Sequence, residues 1–196
     1  MNEGKGLWMA AALVAVTLAP SVVAAQEDGH ATGAFLSGRL NMVNTSGAEG
    51  LLGGLGAPAP VSIGFAGESF SIAVGPTFHH FAVGFDGSSS SVGVAGANAV
   101  ATFVTSTGAG GNLQIYPLVG LGTAIAYGSD AGVENGLFLQ GQVGLGARYF
   151  LVPNVATHIE LGEGLNRLSV DDGFGGRVST TLLTTWGGLG LSIIFG

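Results

Sequence analysis

The sequence predicts an all-β fold, an eight-stranded antiparallel transmembrane β-barrel, and three features of the chain lead to it. Apolar residues alternate with small or polar ones in one segment after another, which is the pattern of strands with two different faces. Only 9% of the residues are charged, against about 25% in an ordinary soluble domain. Gly accounts for 37 of the 196 residues, and no run after residue 25 reaches the roughly 18 apolar residues of a transmembrane helix.

The composition excludes several classes of function. There is no Cys, so a disulfide framework and a Cys-based metal site are both excluded. The chain has five basic and 12 acidic residues, which gives a net charge of -7. Five basic residues are too few to form the positive surface that binds nucleic acid. At 47% hydrophobic residues, the chain is too apolar for an intrinsically disordered protein. We therefore expect no nucleic-acid partner.

Residues 1–25 predict a secretory signal peptide. The 13 residues 7–19 are uncharged and apolar, and Pro20 then breaks any helix. Small residues follow, and cleavage is expected between Ala25 and Gln26. The alternative is a membrane anchor, but 13 residues are too few to cross the bilayer as a helix. The barrel domain is therefore expected to comprise residues 26–196.

Alternation is clearest in the segments 113–127 and 137–151. In the first of these, bulky residues such as Leu121 share one face, and small residues such as Gly120 share the other. The last segment, 181–195, shows the same pattern, and five further segments show a weaker form of it. The eight predicted strands are 33–43, 51–65, 70–83, 91–105, 113–127, 137–151, 155–166 and 181–195.

The connections between these strands alternate in length. Three are predicted as turns, at 66–68, 106–112 and 152–154. Four are predicted as longer polar loops, at 44–50, 84–90, 128–136 and 168–177. Because the signal delivers the mature N-terminus to the periplasm, the first strand runs outward, and we expect short periplasmic turns and longer extracellular loops. Within the second predicted strand, Pro58 and Pro60 interrupt the pattern, since proline cannot donate to a sheet.

Arg148 indicates which face of the barrel meets lipid. It alternates with Tyr149 and Leu151 and lies on the Gly-rich face of its strand. On a lipid-facing surface it would cost about 2–4 kcal/mol near the midplane, so we place this face in the lumen. The predicted polar network of the lumen is Arg39, Tyr116, Gln140, Gln142, Arg148, His158 and Glu160. We expect Arg148 or Arg39 to bond Glu160, which would plug the lumen.

Tyr127 and Tyr149 are expected at opposite membrane interfaces, near opposite ends of neighbouring strands. The chain ends with Gly-Leu-Gly-Leu-Ser-Ile-Ile-Phe-Gly at 188–196, in which alternate apolar residues lead to a near-terminal aromatic residue. Together with the signal and the strand pattern, this ending resembles that of the small eight-stranded outer-membrane proteins, such as the OmpA transmembrane domain, OmpX and OmpW. Phe195 is penultimate here, whereas that family ends on the aromatic residue.

The resemblance implies a cellular location and a set of partners. The expected location is the outer membrane of a Gram-negative bacterium. The partners are outer-membrane lipid and lipopolysaccharide, and the barrel-assembly machinery, which would recognise the C-terminal strand. The expected oligomeric state is a monomer.

His158 and Glu160 raise the alternative of a lipid-modifying outer-membrane enzyme, because small barrels that deacylate lipopolysaccharide use Ser, His and an acid. Those enzymes carry Ser two residues after the His, where this chain has Glu160. We therefore expect these two side chains to pack in the lumen, and we assign no catalytic residue.

No cofactor and no metal ion are expected. His79 and His80 are adjacent in a strand and point to opposite faces, so both cannot easily bind one ion. Four acidic loop residues leave open a site for calcium, or for a divalent cation between lipopolysaccharide phosphates, although a solvated acidic loop is favoured: Asp130, Glu134, Asp171 and Asp172.

The leading functional hypothesis is a non-enzymatic barrel with a structural or surface-interaction role. Two alternatives stay open. One is a narrow channel or carrier for small apolar solutes, which the resemblance to OmpW suggests, and the other is the lipid-modifying enzyme.

Overall fold

A computed structural model describes residues 31–46, 57–85, 88–108, 111–128, 136–171 and 176–196. The predicted signal peptide lies outside these residues, so its boundary at residue 25 stays a prediction. Within the described residues no helix is long and apolar enough to cross a membrane.

The described residues form nine strands, all paired antiparallel. They are β1 (Gly33–Ser46), β2 (Val61–Ala66), β3 (Phe70–Phe85), β4 (Ser88–Phe103), β5 (Ser106–Gly108), β6 (Leu113–Gly128), β7 (Gly136–Val152), β8 (Val155–Asp171) and β9 (Arg177–Phe195). Their order is β4-β3-β2-β1-β9-β8-β7-β6-β5, and β4 also pairs with β6, so the sheet closes on itself. The three-residue β5 pairs only with the start of β6. The other eight strands form the wall, which confirms the predicted eight-stranded antiparallel barrel.

The two ends of the barrel differ. One end, which we call the turn end, carries the connections 67–69, 104–112 and 153–154, and the start of β1 and the end of β9 also lie there. The connection 104–112, which contains β5, is not the short turn that the sequence predicted. The opposite end, which we call the loop end, carries the connections 47–60, 86–87, 129–135 and 172–176.

Large apolar side chains point away from the barrel axis. Leu121 is 75% exposed and Leu145 is 57% exposed, whereas the inward-facing Tyr116 is 0% exposed. Because eight strands leave an interior only wide enough for side chains, the inward positions carry Gly, Ala and polar residues with a few large ones between them. The alternation in the sequence predicted the correct face for each of these residues.

Exposed aromatic side chains lie near the rims. Tyr149 is exposed near the turn end, and Tyr127 is exposed near the loop end of the neighbouring strand. Three exposed phenylalanines belong to the strand ends around the turns: Phe65, Phe70 and Phe103. This arrangement matches the aromatic girdles that mark the interfaces of a membrane-spanning barrel.

Two predicted connections are wrong. The predicted loop 84–90 is a tight hairpin, because β3 and β4 stay paired as far as Phe85 and Ser88. Serine has no strand-breaking effect like that of proline, so the Ser-rich start of β4 remains in the ladder. The predicted turn 106–112 contains β5, which pairs with β6.

The second predicted strand, 51–65, is wrong over residues 57–60, and residues 51–56 lie outside the described part of the structure. Among the described residues of this segment, the wall holds those of β2. The preceding residues Ala57–Pro60, which we call the strap, lie inside the barrel, where Ala57, Pro58 and Ala59 are buried. Pro58 and Pro60 have no N–H for a sheet ladder, so the chain leaves the wall here.

Apolar side chains fill the interior in three layers. The turn-end layer consists of Phe35, Ala66, Phe150, Ala156 and Ile194. The middle layer combines the strap with wall residues and consists of Ala57, Val100, Tyr116, Leu118 and Trp186. The loop-end layer consists of Val94, Ala124, Ala126 and Phe138. Buried polar side chains lie among these layers: Ser37, His158 and Glu160 are toward the turn end, and Gln140 and Asn166 are toward the loop end.

Candidate functional site in the lumen

A buried ion pair joins the first strand to the eighth. The Arg39 guanidinium contacts the Glu160 carboxylate, and the two side chains are 8% and 3% exposed. Tyr116 donates its hydroxyl hydrogen to the other carboxylate oxygen, Oε1, over 2.8 Å. Oε1 of Glu160 therefore accepts a hydrogen bond from Tyr116, and Oε2 is ion-paired with Arg39. Of the two arginines proposed as partners of Glu160, Arg39 is the one that binds it.

Strand register and a glycine bring Tyr116 to Glu160. Tyr116 on β6 is opposite Gly146 on β7, and Gly146 is opposite Glu160 on β8. Since Gly146 has no side chain, the tyrosine ring passes over β7 and reaches the second strand along.

Arg148 is held against the same tyrosine. Its guanidinium carbon lies 5.0 Å from the centroid of the Tyr116 ring, which is a cation–π distance. Among the described residues no carboxylate pairs with it, and its Nε atom has no hydrogen-bond partner.

His158 belongs to a chain of hydrogen bonds that runs back to the first strand. Its Nδ1 lies 3.4 Å from Ser192 Oγ, Ser192 donates to Ser37 Oγ over 3.0 Å, and Ser37 donates to the Leu191 carbonyl over 3.4 Å. Because each hydroxyl hydrogen is already used, Nδ1 of His158 is the donor to Ser192. The two serines were not among the predicted site residues, although both lie on the same inward faces as Arg39 and His158.

The remaining predicted residues, Gln140 and Gln142, lie closer to the loop end. Gln140 donates to the Ala57 carbonyl of the strap over 3.1 Å. Gln142 is buried over Gly120, and neither atom of its amide has a hydrogen-bond partner. All seven predicted residues thus face the lumen. Contacts within the set join Arg39, Glu160, Tyr116 and Arg148, and the bonds given for Gln140 and His158 go to residues outside it.

Asn98 forms hydrogen bonds with the backbone of the strap, and the sequence analysis did not identify it as a site residue. Its Oδ1 accepts from the Ala59 N–H at 3.4 Å, and its Nδ2 donates to the Ala57 carbonyl at 3.5 Å. Arg39 also donates to the Ala59 carbonyl over 3.0 Å. Gly75 leaves the space that Ala59 fills. Asn98 was detectable, because it is the one polar residue in the Ala- and Val-rich stretch 92–101 of its strand.

A small chamber lies between the turn-end layer and the strap. Its volume is about 30 Å³. Phe35 bounds it toward the turn end and Ala59 toward the strap, and its polar lining includes Arg39, Arg148 and His158. Four residues of the predicted network line this chamber, since Glu160 also borders it.

Glu163 is a charged residue on the outer face that the sequence analysis overlooked. It lies between Val143 and Thr185 in the register and is exposed among large apolar side chains. Thr185 donates to it, with 2.9 and 3.1 Å to the two carboxylate oxygens. The sequence could have predicted this position, because Glu163 alternates in step with Leu161 and Leu165 and therefore shares their outward face.

The structure does not describe the side chains of the candidate metal-binding residues. The side chains of His79 and His80 lie outside the described part of the structure, as do those of Asp130, Glu134, Asp171 and Asp172. Within the described residues no group of three or more His, Cys, Asp or Glu side chains is placed to hold a metal ion.

A closed antiparallel barrel with an apolar outer face, aromatic rims and a polar interior is a transmembrane β-barrel of the outer-membrane type. Several solved structures are similar in fold, including the following three. Neisserial surface protein A is 18% identical, with a TM-score of 0.45, covering 84% of this chain and 96% of that one. A major outer membrane protein from Thermus thermophilus is 13% identical, with a TM-score of 0.42 and coverages of 82% and 98%.

The third similar structure is Ail, the attachment invasion locus protein of Yersinia pestis, which is 15% identical, with a TM-score of 0.40 and coverages of 84% and 99%. Neither a protein-family model nor a curated protein sequence matches the chain. The fold assignment rests on the closed register of the barrel itself.

Proposed function

We propose that this chain is a non-enzymatic outer-membrane barrel with a closed lumen, which supports the membrane structurally and presents its loop end for surface interaction. The observation that carries the proposal is the strap, which lies across the lumen directly beside the Arg39–Glu160 pair. A barrel that transports solute through its lumen needs an open path there.

The strap is held at several points. Side chains of Asn98, Gln140 and Arg39 all bind its backbone. Opening the lumen therefore requires these hydrogen bonds to break inside a low-dielectric interior, where each unpaired group costs about 1–3 kcal/mol. The turn-end layer forms a second apolar barrier below it.

The same geometry disfavours the two alternatives. His158 and Glu160 are 4% and 3% exposed and face a chamber of about 30 Å³, which is too small for an acyl chain. Lipid meets the opposite face of the wall. A channel or carrier for small apolar solutes is disfavoured because the strap and Phe35 occupy the lumen through which the solute would pass.

The proposed partners are the lipid and lipopolysaccharide around the apolar belt, and the assembly machinery that binds the C-terminal strand. β9 presents Leu189, Leu191 and Ile193 outward, in the alternation expected of such a signal. In the folded barrel β9 is paired with β1, so the first and last strands cover each other's edges, and a monomer is expected. The turn end is proposed to face the periplasm.

Conductance across planar bilayers tests the closed lumen. The purified protein is expected to give no steady current, and a stable ohmic conductance would refute the proposal. Lipopolysaccharide deacylation by the same preparation would refute the non-enzymatic part. Membrane fractionation tests the location, since a protein that stays soluble without detergent is not a membrane barrel.

A further inference from the structure

We propose that the chamber beside Arg39 and Arg148 binds one small monovalent anion of halide size. The inference is independent of the proposed function and rests on three features of the chamber: its charge, its unpartnered donors and its size.

The chamber has an excess positive charge. Arg39 and Arg148 both line it, and Glu160 is the one carboxylate among its lining residues. Glu160 is bound to Arg39, and the partner of Arg148 is the neutral ring of Tyr116. One positive charge is therefore left over in an interior where charges need a counter-charge.

Two charged donors around the chamber lack acceptors. Arg39 Nε and Arg148 Nε are buried and have no hydrogen-bond partner. Both belong to guanidinium groups, which form strong charge-assisted hydrogen bonds with anions. A neutral water molecule would accept these hydrogen bonds but would leave the charge uncompensated. An anion satisfies both requirements at once.

The size of the chamber limits the class of anion. A volume of about 30 Å³ holds one or two particles of water size. Chloride and bromide fit this space, whereas sulfate and phosphate are larger and carry more charge than the one left over. Phe35, Ala59 and Val100 contribute apolar lining, and a low-dielectric lining strengthens the attraction between an anion and the guanidinium groups.

The test is a chloride titration of the purified, folded protein in detergent micelles. Chloride replaces gluconate at constant ionic strength, and the thermal unfolding midpoint Tm is followed by heat-modifiable gel mobility. We expect Tm to rise with chloride and then saturate, as for a ligand that binds only the folded state. Bromide is expected to act like chloride, and an anomalous difference peak from bromide is expected in the chamber of a crystal.

Two variants separate binding in the chamber from general salt effects. Arg148→Gln is expected to abolish the saturable rise. Arg167→Gln removes one positive charge from the exposed outer face of β8 and is the matched control, expected to keep the rise. Should Arg148→Gln fail to fold, Arg148→Lys keeps the charge but loses the Nε donor, and it is expected to weaken the apparent chloride affinity about tenfold or more.

Three results would overturn the proposal. The first is a Tm of the unaltered protein that does not depend on chloride. The second is a chloride response that persists unchanged in Arg148→Gln, or in Arg148→Lys where that variant is used. The third is bromide density that occurs only outside the chamber, which would indicate an adventitious ion only.

Discussion

The ring of Tyr116 occupies the space in which a side chain at Gly146 would lie, and this is what allows it to reach Glu160 two strands away. The network of the lumen thus depends on an absent side chain as much as on the polar groups themselves. The same relationship recurs where Trp186 lies over Gly144 and Gly162.

Gly146→Ala is expected to destabilise the barrel by about 1–3 kcal/mol, the usual cost of overpacking a tight interior. The added methyl group collides with the Tyr116 ring and displaces its hydroxyl from Glu160. Gly141→Ala is the matched control, because this glycine lies on the same strand and its nearest neighbour, the Leu165 carbonyl oxygen, is 4.0 Å away. Urea midpoints in detergent compare the two, and equal midpoints would contradict the packing argument.

Arg39→Ala leaves Glu160 buried without its ion-pair partner and is expected to cost about 3–5 kcal/mol. Arg39→Ala combined with Glu160→Gln removes both charges and is expected to recover part of this loss. A double-mutant cycle of unfolding free energies measures the coupling. Additive effects of the two substitutions would show that the pair contributes nothing.

Asn98→Ala combined with Gln140→Ala removes three of the side-chain hydrogen bonds that hold the strap. We expect brief openings of the lumen, seen as current bursts in planar bilayers where the unaltered protein is silent. Asn166→Ala is the control, since this buried side chain bonds Thr184 rather than the strap. Bursts of the same frequency in the control would mean that the strap is not the barrier.

Glu163→Leu and Glu160→Leu are expected to change stability in opposite directions. Glu163 faces lipid with only Thr185 as its donor, so leucine there is expected to stabilise the barrel, by less than about 2 kcal/mol. Glu160 faces Arg39 in the lumen, so leucine there leaves a buried cation and destabilises. Unfolding in lipid vesicles checks both signs. Destabilisation by Glu163→Leu would indicate that the outer carboxylate has a binding role.

Epitope tags test the orientation of the barrel. A tag inserted within 172–175 is expected to bind antibody on intact cells, because it lies at the loop end. The matched control is a tag between Pro153 and Asn154 at the turn end, expected to bind only after permeabilisation. The reverse pattern would mean that the barrel is inserted the other way round.

Local alternation was enough to predict the faces of the wall, because a residue such as Leu121 or Arg148 reveals its side through its immediate neighbours. The choice between Arg39 and Arg148 as partner of Glu160 depends on the stagger between strands distant in sequence, which alternation does not encode. The position of the strap inside the barrel could not be predicted for a related reason. Pro58 shows that the ladder stops, but Ala and Pro side chains do not indicate whether the chain then turns toward solvent or into the lumen.

The pairing of β1 with β9 also constrains how the molecule can be built. The hydroxyls of Ser37 and Ser192 meet across 155 positions of sequence, so the seam that completes the cylinder joins the earliest and latest strands. During synthesis the first strand has no permanent neighbour on that side until the ribosome has released nearly the whole polypeptide. A chain that lacks β9 would leave this edge of β1 unpaired, where another copy of the chain could add a strand.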